Sequence, residues 1–410
     1  MVQARPRVSV RRFRRPVLIA AAILVAGTLV LAVVLATRTK GGPGPTSLPT
    51  RSESPTAVQP PAAASTAVAR VPGLPPGAVL EPAADPAGGA RPAPLEPAVG
   101  FARDTTGGSN GATYHVTSRD DTPASPQPGT LRYGLMQRKA LWIVFDADMT
   151  ITFGGAMTIS PDKTIDGRGR HVTLTGHGQP GLHLYDTHNV IIENVSFHDF
   201  GDTAKTGQND PDDAIDIQRA QDIWIDHCSM SMVGDKLIAM EDGPRQVTIS
   251  WNHFYDQEQT LQIGALSTAA RDIGTTVTVH HNFFDRTGYR DPLVAYAKAH
   301  IYNNYIFEWK TSAVRSERVA QMYLEANVLQ AGTNRKGAIL TPAQRCNDSH
   351  KYCDGRSGFL NSVGNVVLGG AVIRSSGPNN VFLPSAAYDY RPDQAGPTLA
   401  ADVRAHAGMQ

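Results

Sequence analysis

Three groups of residues in this 410-residue chain are of a type and spacing that could do chemistry. One is the loop Arg345-Cys-Asn-Asp-Ser-His-Lys-Tyr-Cys353, where Cys346 and Cys353 stand seven apart with His350 between them. Two such thiols either close a disulfide that pins the loop or join the imidazole on a metal ion. Another is Asp210-Pro-Asp-Asp213, whose carboxylates would suit a hard cation, although an acidic stretch around proline also reads as a solvated turn. The last is Asp226-His227, a carboxylate and imidazole side by side. Its place inside a repeated phrase points to a buried polar pair satisfying backbone groups rather than to catalysis. The remaining cysteine, Cys228, falls in the same phrase and reads as a buried thiol.

That phrase defines the elements that must position these residues. It reads Val247-Thr-Ile-Ser-Trp-Asn252-His-Phe, then Val277-Thr-Val-His-His-Asn282-Phe-Phe, then Ala299-His-Ile-Tyr-Asn-Asn304-Tyr-Ile. Gln321-Met-Tyr-Leu-Glu-Ala-Asn327-Val-Leu repeats it, and Phe359-Leu-Asn-Ser-Val-Gly-Asn365-Val-Val does so more loosely. Two earlier copies carry Val195 and Cys228 where the others have asparagine. Equivalent positions lie 33, 24, 30, 22, 23 and 38 residues apart, a spacing typical of solenoids, propellers and arrays. Every copy is a β-branched, alternating run, and no long helical pattern separates the copies. Strands recurring once per turn and stacking on one another make a parallel β-helix. Stacked asparagines would sit about 4.8 Å apart and bond along the stack. Uneven spacing then places loops of very different length on one face. A β-sandwich is the competing fold, but hairpin turn signals are missing between most copies.

The ends read differently. Residues 1–15 are basic, with Arg5, Arg7, Arg11, Arg12, Arg14 and Arg15, and an uncharged, mostly apolar stretch of 21 residues runs from Pro16 to Ala36. This predicts a signal peptide or an uncleaved single-pass anchor, with everything after Thr37 outside the cell, secreted or tethered. Outside, the cysteine pair is expected to be oxidised. Residues 37–98 are rich in Pro, Ala, Gly and Ser and read as a disordered linker. A single domain is expected over 99–391, followed by an Ala-rich tail at 392–410 that caps the domain or frays. Lys and Arg total 38 against 37 Asp and Glu, so charge gives no sign of nucleic acid or an acidic membrane surface as partner. Membrane contact is expected only through the N-terminal segment, and the domain is expected to be a monomer.

From Val99 onward the chain resembles the pectate lyase and pectin lyase family. The resemblance is carried by Gly100-Phe-Ala-Arg-Asp-Thr105-Thr-Gly-Gly-Ser, Tyr114-His-Val-Thr-Ser-Arg-Asp-Asp, Pro128-Gly-Thr-Leu-Arg-Tyr-Gly-Leu135, Ile143-Val-Phe-Asp and Thr164-Ile-Asp-Gly-Arg-Gly. It continues through Trp224-Ile225-Asp226-His227 and Tyr289-Arg290-Asp-Pro292, which leads into His300-Ile-Tyr-Asn-Asn304. It implies an extracellular, right-handed, single-stranded parallel β-helix that cleaves galacturonan by β-elimination. In such enzymes calcium, clamped by carboxylates on neighbouring turns, bridges enzyme and uronate, and an arginine acts at C5.

By position, Arg290 matches the arginine assigned as base, with Pro292 two residues on. A guanidinium is nearly always protonated, so this role needs strong local perturbation; the alternatives are carboxylate binding or a surface ion pair. Asp213, eleven residues before Trp224, and Asp235, twelve before Val247, match calcium ligands. A further ligand position falls on Pro211, flanked by Asp210 and Asp212, and another falls on Ala239, with Glu241 two residues along the strand. Gln259 stands where the family binds substrate with a lysine, and Ala295 where a second arginine is expected. Lys236, Arg271, Arg286, Lys298 and Arg315 are the cations available to compensate, Lys236 as a candidate substrate-binding residue.

Three readings follow. The leading one is a lyase acting on galacturonan or a related uronate polymer, with calcium as cofactor. The second is a calcium-independent lyase acting on methyl-esterified pectin. The third is a β-helix that binds cell-wall polysaccharide without cleaving it.

Overall fold

A computed structural model describes residues 93, 95–205, 212–264, 271–333, 357–373 and 375–410. The N-terminal basic and apolar segments, most of the linker, Asp210, Pro211, Cys346, His350 and Cys353 lie outside the described residues. No described helix is long and apolar enough to cross a membrane.

Three sheets of ten, nine and seven strands make up the body. Through the middle of the chain each strand pairs, in parallel, with the strand that comes three later. This repeating order is the arrangement of a parallel β-helix, and it excludes a sandwich. A typical turn runs through Gln221–Asp226 in the ten-stranded sheet, Ser229–Val233 in the nine-stranded sheet and Lys236–Glu241 in the seven-stranded sheet.

Register stacks like on like inside the coil. Ile225, Ile249, Val279, Ile301 and Leu324 form one interior column. Phe197, Met230, Phe254, Phe284, Ile306 and Leu329 form a second. Leu184, Ile217, Met240, Ile263 and Val294 form a third. All of these side chains are fully buried. Burying each is worth roughly 1.5–3 kcal/mol, which makes the columns the main source of stability.

The repeated asparagine sits at the bend between the ten- and nine-stranded sheets. The residue before it takes a left-handed conformation in every copy: His227, Trp251, His281, Asn303, Ala326 and Gly364 have φ between 48° and 62°. Asn252 donates from both its backbone N and its Nδ2 to Asn282 Oδ1, each at 2.9 Å. The same pattern runs from Asn282 to Asn304, to Asn327 and on to Asn365. Each Nδ2 also reaches backbone carbonyls, as Asn252 does to Ile225 O at 3.0 Å and Ser250 O at 2.8 Å. The ladder therefore satisfies the backbone groups that a sharp bend would leave unpaired. Cys228 is fully buried and ends the ladder, its backbone N donating to Asn252 Oδ1.

Two outer faces are covered by described segments. Across the ten-stranded sheet, Phe101 N, Ala102 N and Gly108 N donate to Thr278, Thr248 and Thr164 Oγ1. The paired glycines let this strap lie close: a Cβ on Gly108 would fall 1.8 Å from Leu141 O. Ala98 and Leu95 pack with Ala102, Ile191 and Trp224, so the packed body starts before residue 99. It also runs past Arg391 to Gln410. Helix Pro397–His406 packs Leu399 and Val403 against Phe283, Tyr305 and Val328 on the nine-stranded sheet, because its apolar residues recur at helical spacing. The segment expected to cap the domain or fray thus contains a docked helix.

Candidate active site

The outer face of the seven-stranded sheet carries the residues that the sequence singles out. Asp213 and Asp235 lie at the bends leading into Ile215–Gln218 and Lys236–Glu241. Gln259 opens the next strand, Gln259–Ile263, and pairs with Lys236 on one side and Tyr289 on the other. Arg290 continues this order, its carbonyl accepting from Leu261 N at 2.9 Å. Neighbouring strands thus bring together residues that are up to 77 positions apart, between Asp213 and Arg290.

Two hydrogen-bonded chains run side by side. In one, Lys236 Nζ lies 3.2 Å from Asp213 Oδ1 and bonds Asp235 Oδ2 more closely. Asp213 Oδ1 also accepts from Lys236 N at 2.8 Å, and Gln259 Nε2 donates to Asp235 Oδ1 at 2.7 Å. In the other, Arg290 Nη1 donates to Gln262 Oε1 at 2.5 Å, and Gln262 Nε2 donates to Glu241 Oε1 at 2.6 Å. Arg290 also lies 5.3 Å from the Tyr289 ring centroid, and its buried Nε has no hydrogen-bond partner. It forms no ion pair among the described residues.

Burial governs the electrostatics here. It lowers the pKa of Arg290 from the usual guanidinium range. Burial pushes Asp213 up to about 7 against the opposing pull of Lys236, and it raises Glu241. For Lys236, burial works against the charge, but Asp213 and Asp235 outweigh it and hold the ammonium above its ordinary value.

The other expected residues fall as follows. Pro292 contributes its carbonyl, which accepts from Arg315 N at 3.0 Å, and the carbonyl of Asp212 accepts from Asp235 N at 3.1 Å. Ala239 stands in register between Asp216 and Gln262 and adds no oxygen ligand. Ala295 joins an apolar cluster with Leu293, Tyr296 and Val319. Among the compensating cations, Arg315 shares this sheet and bonds Glu317, whereas Lys298 lies in the ten-stranded sheet. Arg271 pairs with Asp242 and Arg286 with Asp285. Gln262 and Tyr289, which hold Arg290, were not singled out by the sequence. Neither carries a signal of its own in the sequence; the strand register that sets Gln262 beside Ala239 is what brings its amide into this chain of bonds.

Asp226 and His227 lie on the outer side of the ten-stranded sheet. His227 Nδ1 lies 2.6 Å from Asp226 Oδ2, and Ser250 Oγ donates to Asp226 Oδ1. Their side-chain bonds go to other side chains rather than to the backbone groups expected. With Glu193 they form the one group of three His, Asp or Glu side chains among the described residues whose ligand atoms lie within 4.8 Å of one another.

Calcium takes six to eight oxygens around an open centre. Asp213 and Asp235 do converge, but on the ammonium of Lys236, and Glu241 is held by Gln262. As arranged, these residues do not present a calcium cage.

Residues 154–410 match the pectate lyase family model. Putative pectate lyase 21 of Arabidopsis thaliana is 33% identical over 287 residues, covering 68% of this chain and 72% of its own. The crystal structure of Jun a 1, the major cedar pollen allergen, superposes with a TM-score of 0.65 at 29% identity, over 76% of this chain and 93% of that one. The pectate lyase of Bacillus sp. N165, solved with trigalacturonate, shares the fold with a TM-score of 0.57 at 21% identity, over 76% and 98% of the two chains. The chain belongs to the pectate lyase family of polysaccharide lyases.

Proposed function

We propose that this protein cleaves α-1,4-linked galacturonan, or a closely related uronate polymer, by β-elimination at the outer face of the seven-stranded sheet. The observation that carries this reading is the state of Arg290, which is half-buried with its Nε enclosed and unpaired, lowered in pKa and held by a neutral amide instead of a carboxylate. The reaction removes the C5 proton of a uronate and expels the oxygen at C4. The proton passes to the neutral form of Arg290, the electron pair closes the C4–C5 double bond, and the C4–O bond breaks, the departing oxygen taking up a proton from solvent. Negative charge developing on the uronate carboxyl group needs a cation nearby, and Lys236 and Arg315 are the cations of this sheet. The galacturonate oligomer bound by the Bacillus relative supports this substrate class. We assign export to the N-terminal apolar segment, which places the domain where plant or microbial wall polymers are met.

A second reading, methyl-esterified pectin as substrate, is favoured by one observation. Ala295 lies among Leu293, Tyr296 and Val319 where the family resemblance implies an arginine, so this position supplies no cation to pair with a uronate carboxylate.

The test is to incubate the protein with polygalacturonate and with esterified pectin and to follow absorbance of the 4,5-unsaturated product. Product from polygalacturonate that is lost in Arg290→Ala supports the reading. Retained polymer binding with no product from either substrate would sink it and leave a non-catalytic wall-binding protein.

A further inference from the structure

We propose that Lys236 is the resident cation of this groove, occupying the space between Asp213 and Asp235 so that the site works without calcium. The proposal rests on the lyase reading above for its functional part, but its binding part stands on geometry alone.

The donors around the two aspartates are all N–H groups. Asp213 Oδ1 receives the backbone N of Lys236 at 2.8 Å and its Nζ at 3.2 Å. Asp235 receives Lys236 Nζ on one oxygen and Gln259 Nε2 on the other. A metal centre has the opposite polarity, with lone pairs facing an open point. Lys236 and Asp213 are each only 8% exposed, so the pair is largely shielded from screening by solvent. A divalent ion entering between the aspartates would meet an ammonium already in place, and each charge would raise the energy of the other.

The surrounding substitutions agree with one another. Ala239 withdraws a carboxylate, which lowers the negative charge that a single ammonium must balance. Gln259 is neutral, so it can donate to Asp235 without bringing a second positive charge beside Lys236. Glu241 is turned to Gln262 and, through it, to Arg290. Lys236 is thus left as the cation bonded to both aspartates, with a neutral amide beside it at Gln259. A fixed ammonium beside Arg290 would serve a uronate carboxylate as a permanent counter-charge, present before substrate arrives.

The test uses the full chain, stripped of divalent ions, as wild type, Lys236→Met, Lys236→Arg and Asp235→Asn, with circular dichroism to confirm folding. Calcium chloride is titrated calorimetrically, and lyase rate is followed with calcium or EDTA. We expect no calcium binding that depends on Asp235 in the wild type, and no change in rate with EDTA. Lys236→Met vacates the space and gains calcium binding, with a Kd in the range of about 10⁻⁴–10⁻³ M or tighter. Its lyase rate, low without metal, rises at least several-fold with calcium. Lys236→Arg keeps a cation and stays indifferent to calcium. Wild-type calcium binding that Asp235→Asn abolishes would overturn the proposal, as would loss of wild-type activity in EDTA. Failure of a folded Lys236→Met to gain calcium binding would also overturn it. If no polymer is cleaved, the lyase reading fails while the calorimetric comparison still decides the cation assignment.

Discussion

Arg290 donates to Gln262 Oε1 at 2.5 Å, and the amide of Gln262 hands the contact on to Glu241. Gln262 thereby stands between the guanidinium and the carboxylate of Glu241. A direct carboxylate partner would stabilise the protonated arginine, whereas a neutral acceptor leaves burial as the dominant influence on its pKa.

Replacing Gln262 should therefore act on the pH dependence of the rate. Gln262→Glu places a carboxylate against Arg290, raising its pKa and moving the ascending limb of the pH–rate profile, where the base loses its proton, to higher pH. At neutral pH the rate should fall about tenfold for each unit of that displacement. An unmoved limb would show that Arg290 is not the titrating base.

Arg290→Ala should lower product formation by roughly 10²–10⁴-fold, the usual range for loss of a positioned base. Arg290→Lys should restore little, because a single ammonium on a different stem cannot reproduce the guanidinium's reach. Initial rates at saturating and limiting polymer concentrations separate loss of turnover from loss of binding.

Asp291 offers a pH dependence of stability. It is fully buried and accepts from Thr287 Oγ1 at 2.8 Å, and burial raises its carboxyl to about 7 from an ordinary value of 3.8. The unfolded chain therefore releases this proton at lower pH than the folded one. The stabilising contribution is complete below about pH 4 and is lost as pH rises through 7, for a total of about 4 kcal/mol. Asp291→Asn should flatten this slope while still accepting from Thr287. Urea denaturation of both proteins at pH 4.5 and 8 reads the difference.

Interrupting the asparagine ladder should be costly. Asn282→Ala leaves the backbone N–H of Asn252 without its acceptor and removes the Nδ2 bonds to Ile249 O and His280 O at 2.9 Å each. A loss of about 2–4 kcal/mol is expected from one or two buried groups left unpaired. If denaturation shows a change below about 0.5 kcal/mol, the ladder is ornamental to stability.

Truncation before Gly396 removes the docked helix. It exposes Phe283 and Tyr305 and withdraws Arg404 from their rings, 5.5 and 5.2 Å away. A lower melting temperature with unchanged lyase rate is expected, because the helix lies on the nine-stranded sheet and the candidate site on the seven-stranded one.

The coil was legible because its signal is periodic and local. Each copy carries its own alternation and its own asparagine, so the ladder from Asn252 to Asn327 could be drawn before any coordinate. Asn365, seen only as a looser copy, proves to be a full member of it. The gathering of Asp213, Asp235, Gln259 and Arg290 was legible only through the family resemblance. What was not legible is how side chains divide their hydrogen bonds. Lys236 was a cation without a place until register set it opposite Asp213, and Gln262 carried no marker as the partner of Arg290. The final helix was hidden because alanine-rich composition says little about docking; Leu399 and Val403 supply the apolar stripe.

The ladder at the bend also explains how one scaffold can tolerate turns of unequal length. The interval from Asn252 to Asn282 is 30 residues and that from Asn282 to Asn304 is 22, yet both pairs meet at the same 2.9 Å. The amides act as a ratchet pawl: once engaged, they set each coil against the next whatever the length of chain between them. Differences in length are thereby taken up between the strands, as between Gln259–Ile263 and Thr276–His280. Loops bordering the groove can lengthen, shorten or change charge without slipping the registers beneath, so substrate preference can drift while the coil that displays it stays fixed.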